Sequence, residues 1–149
     1  MEYQTLNLLF RYSKEFSHEI IKTRDLCDTE CMICSFVYSH DHCSQDDIAV
    51  ALKADKTTVG KSIAALERKK YIKREKDPFD KRINRLSLCD EGREKIADLL
   101  NLHNEWLTDI MACLSDEEQE QFRNLCERLL VSAESLSQKY GGKNIDPKN

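Results

Sequence analysis

The segment from Ser44 to Arg93, SQDDIAVALKADKTTVGKSIAALERKKYIKREKDPFDKRINRLSLCDEGR, decides how this chain folds. It opens with two short amphipathic helices separated by only a few polar residues. A short apolar and basic run follows from Tyr71 to Arg74, then a turn built on Asp77-Pro78-Phe79-Asp80. A second short strand runs from Leu86 to Leu88. Helix, turn, helix and a two-stranded basic ribbon form the layout of a winged reader of double-stranded DNA, with one helix in a major groove and a loop beside it.

The charge distribution points the same way. The whole chain carries 23 Lys+Arg against 27 Asp+Glu, a net of −4, which taken alone argues against a polyanionic partner. Between Lys53 and Arg85, however, there are 12 basic and 5 acidic residues, a net of +7. The rest of the chain is acidic, at −11. A basic block in an acidic molecule can face a phosphate backbone while the remaining surface is repelled by it.

With 149 residues the chain is long enough for one domain or two small lobes with a real core. A 40% apolar and 34% charged composition suits helices with exposed charged faces, and only 4 Gly and 2 Pro leave little room for a many-turned β fold. No stretch is apolar for long enough to span a membrane, and MEYQTLNLLFRYSKEF lacks a signal-peptide core, so a cytoplasmic location is expected. Seven cysteines, an odd number, then read as reduced thiols rather than a disulfide framework.

The flanks are predicted to be helical. Leu6, Leu9, Phe10, Phe16, Ile20 and Ile21 fall on one stripe between Tyr3 and Ile21, and a second helix is predicted from about Thr29 to Tyr38. Asp90 is the expected N-cap of a long helix through Ile96, Leu99, Trp106 and Ile110, and Ser115 with Glu118 forms a capping box for another. The organisation expected is therefore mainly α. A dimerisation helix would occupy residues 1–28, a winged helix-turn-helix lobe 29–93, C-terminal dimerisation helices 94–140 and a disordered tail 141–149. Because the reader needs only the middle of the chain, helices at both ends suggest a two-fold dimer. Such a dimer would hold two recognition helices about one DNA turn apart on a palindromic site.

The stretch SQDDIAVALKADKTTVGKSIAALERKKYIKRE resembles the helix-turn-helix of MarR-type transcriptional regulators, and DPFDKRINRLSLCDEGREK resembles their wing. The likeness runs over roughly residues 29 to 130. Lys70, after the recognition helix, and Lys53, between the helix pair, stand where glycine is common in that family. The resemblance implies a dimer that represses genes until a small phenolic ligand, an oxidant or a metal releases it.

Helix geometry and the resemblance together nominate the DNA contacts. With Asp55 as N-cap, the first exposed turns of the recognition helix present Lys56, Thr57, Thr58, Lys61 and Ser62, whose small hydroxyls and ammonium groups suit base edges and phosphates. Val59, Ile63, Ala64 and Leu66 are expected in the core. Gly60 costs helix stability but permits a close backbone approach. Ser44 and Gln45 are positioned to donate to phosphate, and Ser44 is also a good N-cap. In the wing, Arg82 matches the family's groove-reaching arginine, Asp80 is placed to hold it, and Lys81 and Arg85 are phosphate contacts.

The effector is less legible. No Gly-rich phosphate loop, HExxH or GxSxG motif is present and the four histidines have no catalytic spacing, so no enzyme and no cofactor is expected. The family places small ligands between the reader lobe and the dimer helices, which here suggests Phe10, Phe36 and Trp106. An oxidant would need an exposed thiolate, and Cys27, close to Lys22 and Arg24, is the candidate. A metal would need converging ligands, the best available being Cys31, His40, His42 and His103. Cys27, Cys31 and Cys34 at helical spacing read equally well as small buried hydrophobes. The ranking is organic ligand, oxidant, metal. A thiol- or metal-sensing regulator of the same fold, and a winged-helix interaction module that does not bind DNA, stay open as alternatives.

Overall fold

Short-range side-chain chemistry sets most of the helix starts in the computed structural model, which describes residues 3–140. The expected disordered tail, 141–149, lies outside them. After α1 (Tyr3–Lys22), α2 (Asp28–Ser39) begins where the Glu30 carboxylate accepts the Cys27 amide at 3.0 Å. α3 (Gln45–Ala51) starts at Ser44, whose Oγ accepts the Asp47 amide at 3.2 Å while Asp47 accepts the Ser44 amide at 2.8 Å. α4 (Lys56–Arg68) starts at Asp55, which accepts the Thr58 amide at 2.8 Å. These bonds satisfy amides that have no partner within the helix, each contributing about 1 kcal/mol.

Helix ends follow one design. After α3, Lys53 adopts φ +50°, with Lys53 N–H on Val50 O at 3.2 Å and Ala54 N–H on Ala49 O at 3.0 Å. After α4, Lys70 adopts φ +60°, with Lys70 N–H on Glu67 O at 3.1 Å and Tyr71 N–H on Leu66 O at 2.9 Å. Both are left-handed terminators that normally favour glycine, so the chain keeps the turn and carries lysine through it, at a cost of about 1 kcal/mol each.

Because its amide caps α4, Tyr71 does not open the ribbon as expected. β1 runs Ile72–Lys76 and pairs antiparallel with β2 (Asn84–Leu88), Ile72 opposite Leu88 and Lys76 opposite Asn84. Beside this two-stranded sheet Cys43, in the loop before α3, makes an isolated bridge to β2, with Leu86 N–H on Cys43 O at 2.8 Å. Asp90 is the first residue of α5 (Asp90–Met111) rather than its N-cap, because Cys89 precedes it with its amide still bonded to Tyr71 O at 2.8 Å.

Compact packing divides the chain into Met1–Asn104 and Glu105–Asn149, with the boundary inside α5. In the first unit Ile33, Val37, Ile48, Val59, Ile63, Leu66 and Ile96 are fully buried, drawing α2, α3, α4 and α5 into one core with Leu86 and Leu88 of the ribbon. Ala64 corrects the expected core set: it is exposed, because the α4 stripe turns through Val59, Ile63 and Leu66 and leaves it on the solvent side. Lys69 Nζ reaches Glu30 at 2.9 Å and Asp25 O at 2.7 Å, and Tyr71 Oη donates to Arg24 O at 2.7 Å. The end of α4 is thereby pinned to the turn before α2. Glycine is required at Gly92, where a Cβ would lie 2.4 Å from the Tyr71 carbonyl oxygen.

In the second unit α6 (Asp116–Tyr140) begins at the expected capping box, Ser115 N–H on Glu118 at 2.8 Å and Glu118 N–H on Ser115 Oγ at 3.3 Å. Its side chains Phe122, Leu125, Leu129 and Leu136 are exposed. Among the described residues no helix is long and apolar enough to cross a membrane.

Candidate nucleic-acid interface

The N-terminal turns of α4 hold Lys56, Thr57, Thr58 and Lys61 exposed, with Ser62 half-buried. They are not equally free. Lys56 Nζ pairs with Asp46 at 2.9 Å, a solvent-exposed pair that costs little to exchange for another anion. Thr58 Oγ1 donates to Asp55, so its hydroxyl is committed to the cap. Ser44 Oγ is committed likewise, donating to Asp47 at 2.8 Å.

Gln45 has a role the sequence did not reveal. Its Nε2 donates to Lys56 O at 2.9 Å, tying the start of α3 to the start of α4. The same amide lies over Gly60, where a Cβ would come within 3.0 Å of Nε2. Gly60 therefore gives the Gln45 brace its room, and the close approach comes from a side chain of the chain itself.

The wing is built on one carboxylate. Asp77 is buried and accepts from the Phe79 amide at 2.8 Å, the Asp80 amide at 2.9 Å and Arg85 Nε at 2.6 Å. These donors, led by the Asp80 amide and then Arg85 and the Phe79 amide, hold its carboxyl down at about 2. Arg85, nominated as a phosphate contact, is half-buried and engaged in this brace. Asp80 does hold Arg82, accepting its amide at 2.9 Å and its Nε at 3.3 Å, while the Arg82 side chain stays 93% exposed. Lys81 is exposed beside it. Arg74, which was not singled out from sequence, clamps Glu67 of α4 through Nε at 3.2 Å and an Nη at 3.0 Å, linking ribbon to recognition helix. Ser44, Gln45, Arg74 and Arg82 all line a cleft of about 380 Å³ between the start of α3 and the wing.

A second, more apolar cleft of about 710 Å³ lies among α1, α2 and α5, lined by Ile21, Cys31, Phe36, Leu99, Leu100 and His103 among others. Phe36 is the one expected pocket residue on its wall. Phe10 is 61% exposed on α1, and Trp106 belongs to the second unit. His103 Nδ1 is 2.9 Å from Leu99 O and its Nε2 is 2.9 Å from Ser17 Oγ. A carbonyl only accepts, so the neutral ring carries its hydrogen on Nδ1 and accepts from Ser17. His40 stacks on Phe36 at 4.3 Å, and His42 Nδ1 meets Ser87 Oγ at 3.2 Å. Among the described residues no three His, Cys, Asp or Glu side chains converge as a metal site, so Cys31, His40, His42 and His103 are not brought together. All seven thiols are free. Cys27 is exposed, whereas burial pushes the Cys31, Cys34 and Cys43 thiols up, Cys43 to about 11.

A capped recognition helix, braced against its partner helix and flanked by an aspartate-rooted basic ribbon, defines a winged helix-turn-helix protein. The MarR family model matches residues 25–83. Among characterised relatives, the HTH-type transcriptional regulator BilQ of Clostridioides difficile is 30% identical over 91 residues, 60% of this chain and 62% of the relative. The BilQ of Clostridium symbiosum is 30% identical over 58% of this chain and 60% of the relative. The chain thus spans about three fifths of the length of these relatives. Among solved structures, MepR, a transcription regulator of the Staphylococcus aureus multidrug efflux pump MepA, aligns with TM-score 0.74 and 26% identity over 89% of this chain and 99% of that one. A MepR–DNA complex aligns with TM-score 0.73 and 26% identity, covering 89% of this chain and 98% of that one. Residues 25–83 of the chain are thus similar to the MarR family.

Proposed function

We propose that this chain is a dimeric, sequence-specific reader of double-stranded DNA that regulates transcription, acting as a repressor released by a small organic ligand. The observation that carries the reading is the pairing of an exposed α4 N-terminus with a rigid wing whose Arg82 is 93% exposed, both within the +7 block. A helix start of this kind suits the major groove and an extended arginine suits the narrow minor groove. The likeness to a MepR–DNA complex supports the same docking.

Dimerisation is supported by apolar side chains on α1 and α6 that are exposed among the described residues. On α1, Leu8, Leu9 and Phe10 are 47%, 40% and 61% exposed, and on α6, Leu125, Leu129 and Leu130 are 51%, 64% and 61% exposed. Exposed apolar surface on a helix commonly marks a protein–protein contact. Ligand response is supported by the apolar cleft among α1, α2 and α5, whose Ser17–His103 pair supplies a polar end. A ligand there shifts DNA affinity to the extent that it prefers one conformation of the lobe over another.

The test is to recover duplexes from a random-sequence library with the purified protein and titrate them at fixed salt, with light scattering in parallel. A specific duplex bound well above random DNA, by a species of twice 17.4 kDa, is expected. A compact monomer, or no preference among duplexes, refutes the proposal.

A further inference from the structure

Phe79 is the most exposed large apolar side chain among the described residues, at 97%. It is not on a loose loop. Its amide and that of Asp80 are both held by Asp77 Oδ1, at 2.8 and 2.9 Å, and Asp77 is gripped from behind by Arg85 at 2.6 Å. Pro78 fixes the backbone immediately before it. Three residues on, Arg82 is held at amide and Nε by Asp80. One rigid turn therefore presents a phenyl ring and a guanidinium together, with Lys81 between them.

The ring has no task inside the fold. The turn is shaped by Asp77 and Pro78, and the core is closed by Leu86, Leu88 and Ile72. A bare ring held in water while braced from beneath suits an external surface that accepts both a cation and a flat apolar group. The DNA minor groove is such a surface, with phosphates at its rims, deoxyribose C–H walls and base edges at its floor.

We infer that Phe79 is an apolar wedge that seats in the minor groove beside Arg82 and fixes how deeply the wing enters. The inference rests on the DNA-reading role proposed above. The two wing residues carry different physical signatures. Arg82 replaces condensed counterions, so its contribution shrinks as salt rises, whereas burial of the ring against sugar and base edges releases no counterion and is insensitive to moderate salt.

The experiment uses the duplex that wild-type protein selects from a random library and measures its Kd for wild type, Phe79→Ala and Arg82→Ala across a series of NaCl concentrations. Phe79→Ala should weaken binding about 5- to 30-fold at every salt concentration, leaving the slope of log K against log salt as in wild type. Arg82→Ala should flatten that slope. Thermal unfolding of Phe79→Ala should match wild type, because the residue is 97% exposed. Wild-type affinity in Phe79→Ala at all salts, or a loss that disappears as salt rises, overturns the wedge while leaving DNA reading intact. Normal DNA binding by Phe79→Ala combined with loss of a protein–protein association in light scattering assigns the ring to another surface and overturns it as well. If wild type selects no duplex, the DNA-reading role itself fails and the wedge falls with it.

Discussion

Replacing Gly92 by alanine tests the packing logic of the whole reader. An added Cβ would lie 2.4 Å from Tyr71 O, 2.8 Å from its Cα and 3.0 Å from its carbonyl carbon. All three are backbone atoms, so no rotamer change relieves the clash. Ordinary contact begins near 3.4 Å, and α5 must therefore retreat from Tyr71 by about 1 Å. That retreat stretches the 2.8 Å Cys89 N–H to Tyr71 O bond and loosens Ile96 and Leu99 in the core. Overpacking of this kind costs about 1–3 kcal/mol and the weakened buried hydrogen bond about 1 kcal/mol more. Against this, alanine is about 1 kcal/mol better than glycine within a helix. The net expectation is a loss of about 1–3 kcal/mol, read as a lower midpoint in urea unfolding at fixed protein concentration, with an unchanged slope. A variant as stable as wild type, or more stable by the helix-propensity gain, would refute the reasoning.

Other outcomes follow from the same geometry. Arg82→Ala should weaken binding of the selected duplex by about 1–3 kcal/mol, while Lys81→Ala should weaken specific and random duplexes about equally, both read by anisotropy at fixed salt. Lys70→Gly should raise the urea midpoint, gaining about 0.5–1 kcal/mol by relieving the left-handed lysine, net of glycine's greater unfolded freedom; a lower midpoint would count against strain at φ +60°. Asp77 is held at about 2, below its ordinary 3.8, so its stabilising contribution is complete above 3.8 and is lost as pH falls through about 2. Asp77→Asn should remove that part of the acid limb, with little change in the slope of stability against pH around neutrality.

What the sequence disclosed was whatever is decided within a few residues. The caps at Ser44, Asp55 and Ser115 are contacts three residues apart, and each is present in the structure. The apolar stripe of α4 and the turn at Asp77-Pro78-Phe79-Asp80 belong to the same local class. What it did not disclose depends on chain brought back from a distance. Gln45 reads as a phosphate donor until Lys56 O is found beside it, and Arg85 reads as a free cation until the hairpin folds Asp77 against it. Asp90 has the chemistry of an N-cap, but tertiary pairing of the Cys89 amide with Tyr71 shifts the helix start by one residue. Of the three aromatic candidates for a ligand pocket, only Phe36 lines the apolar cleft. Lys53 and Lys70 show that a glycine-favouring turn can be kept without glycine when two backbone hydrogen bonds hold it.

The bridge between Cys43 and Leu86 has a kinetic meaning. Pairings within the hairpin join residues close along the chain and can form as soon as the turn does, whereas the bridge must first close the loop containing α3 and α4. It is therefore expected to form after the pairings within the hairpin. Adjacent amides of β2 then report different events: those bonded to β1 exchange with solvent when the ribbon melts, and that of Leu86 exchanges when the lobe parts from it. Hydrogen exchange at this single amide becomes a clock for the coupling of helix pair and wing.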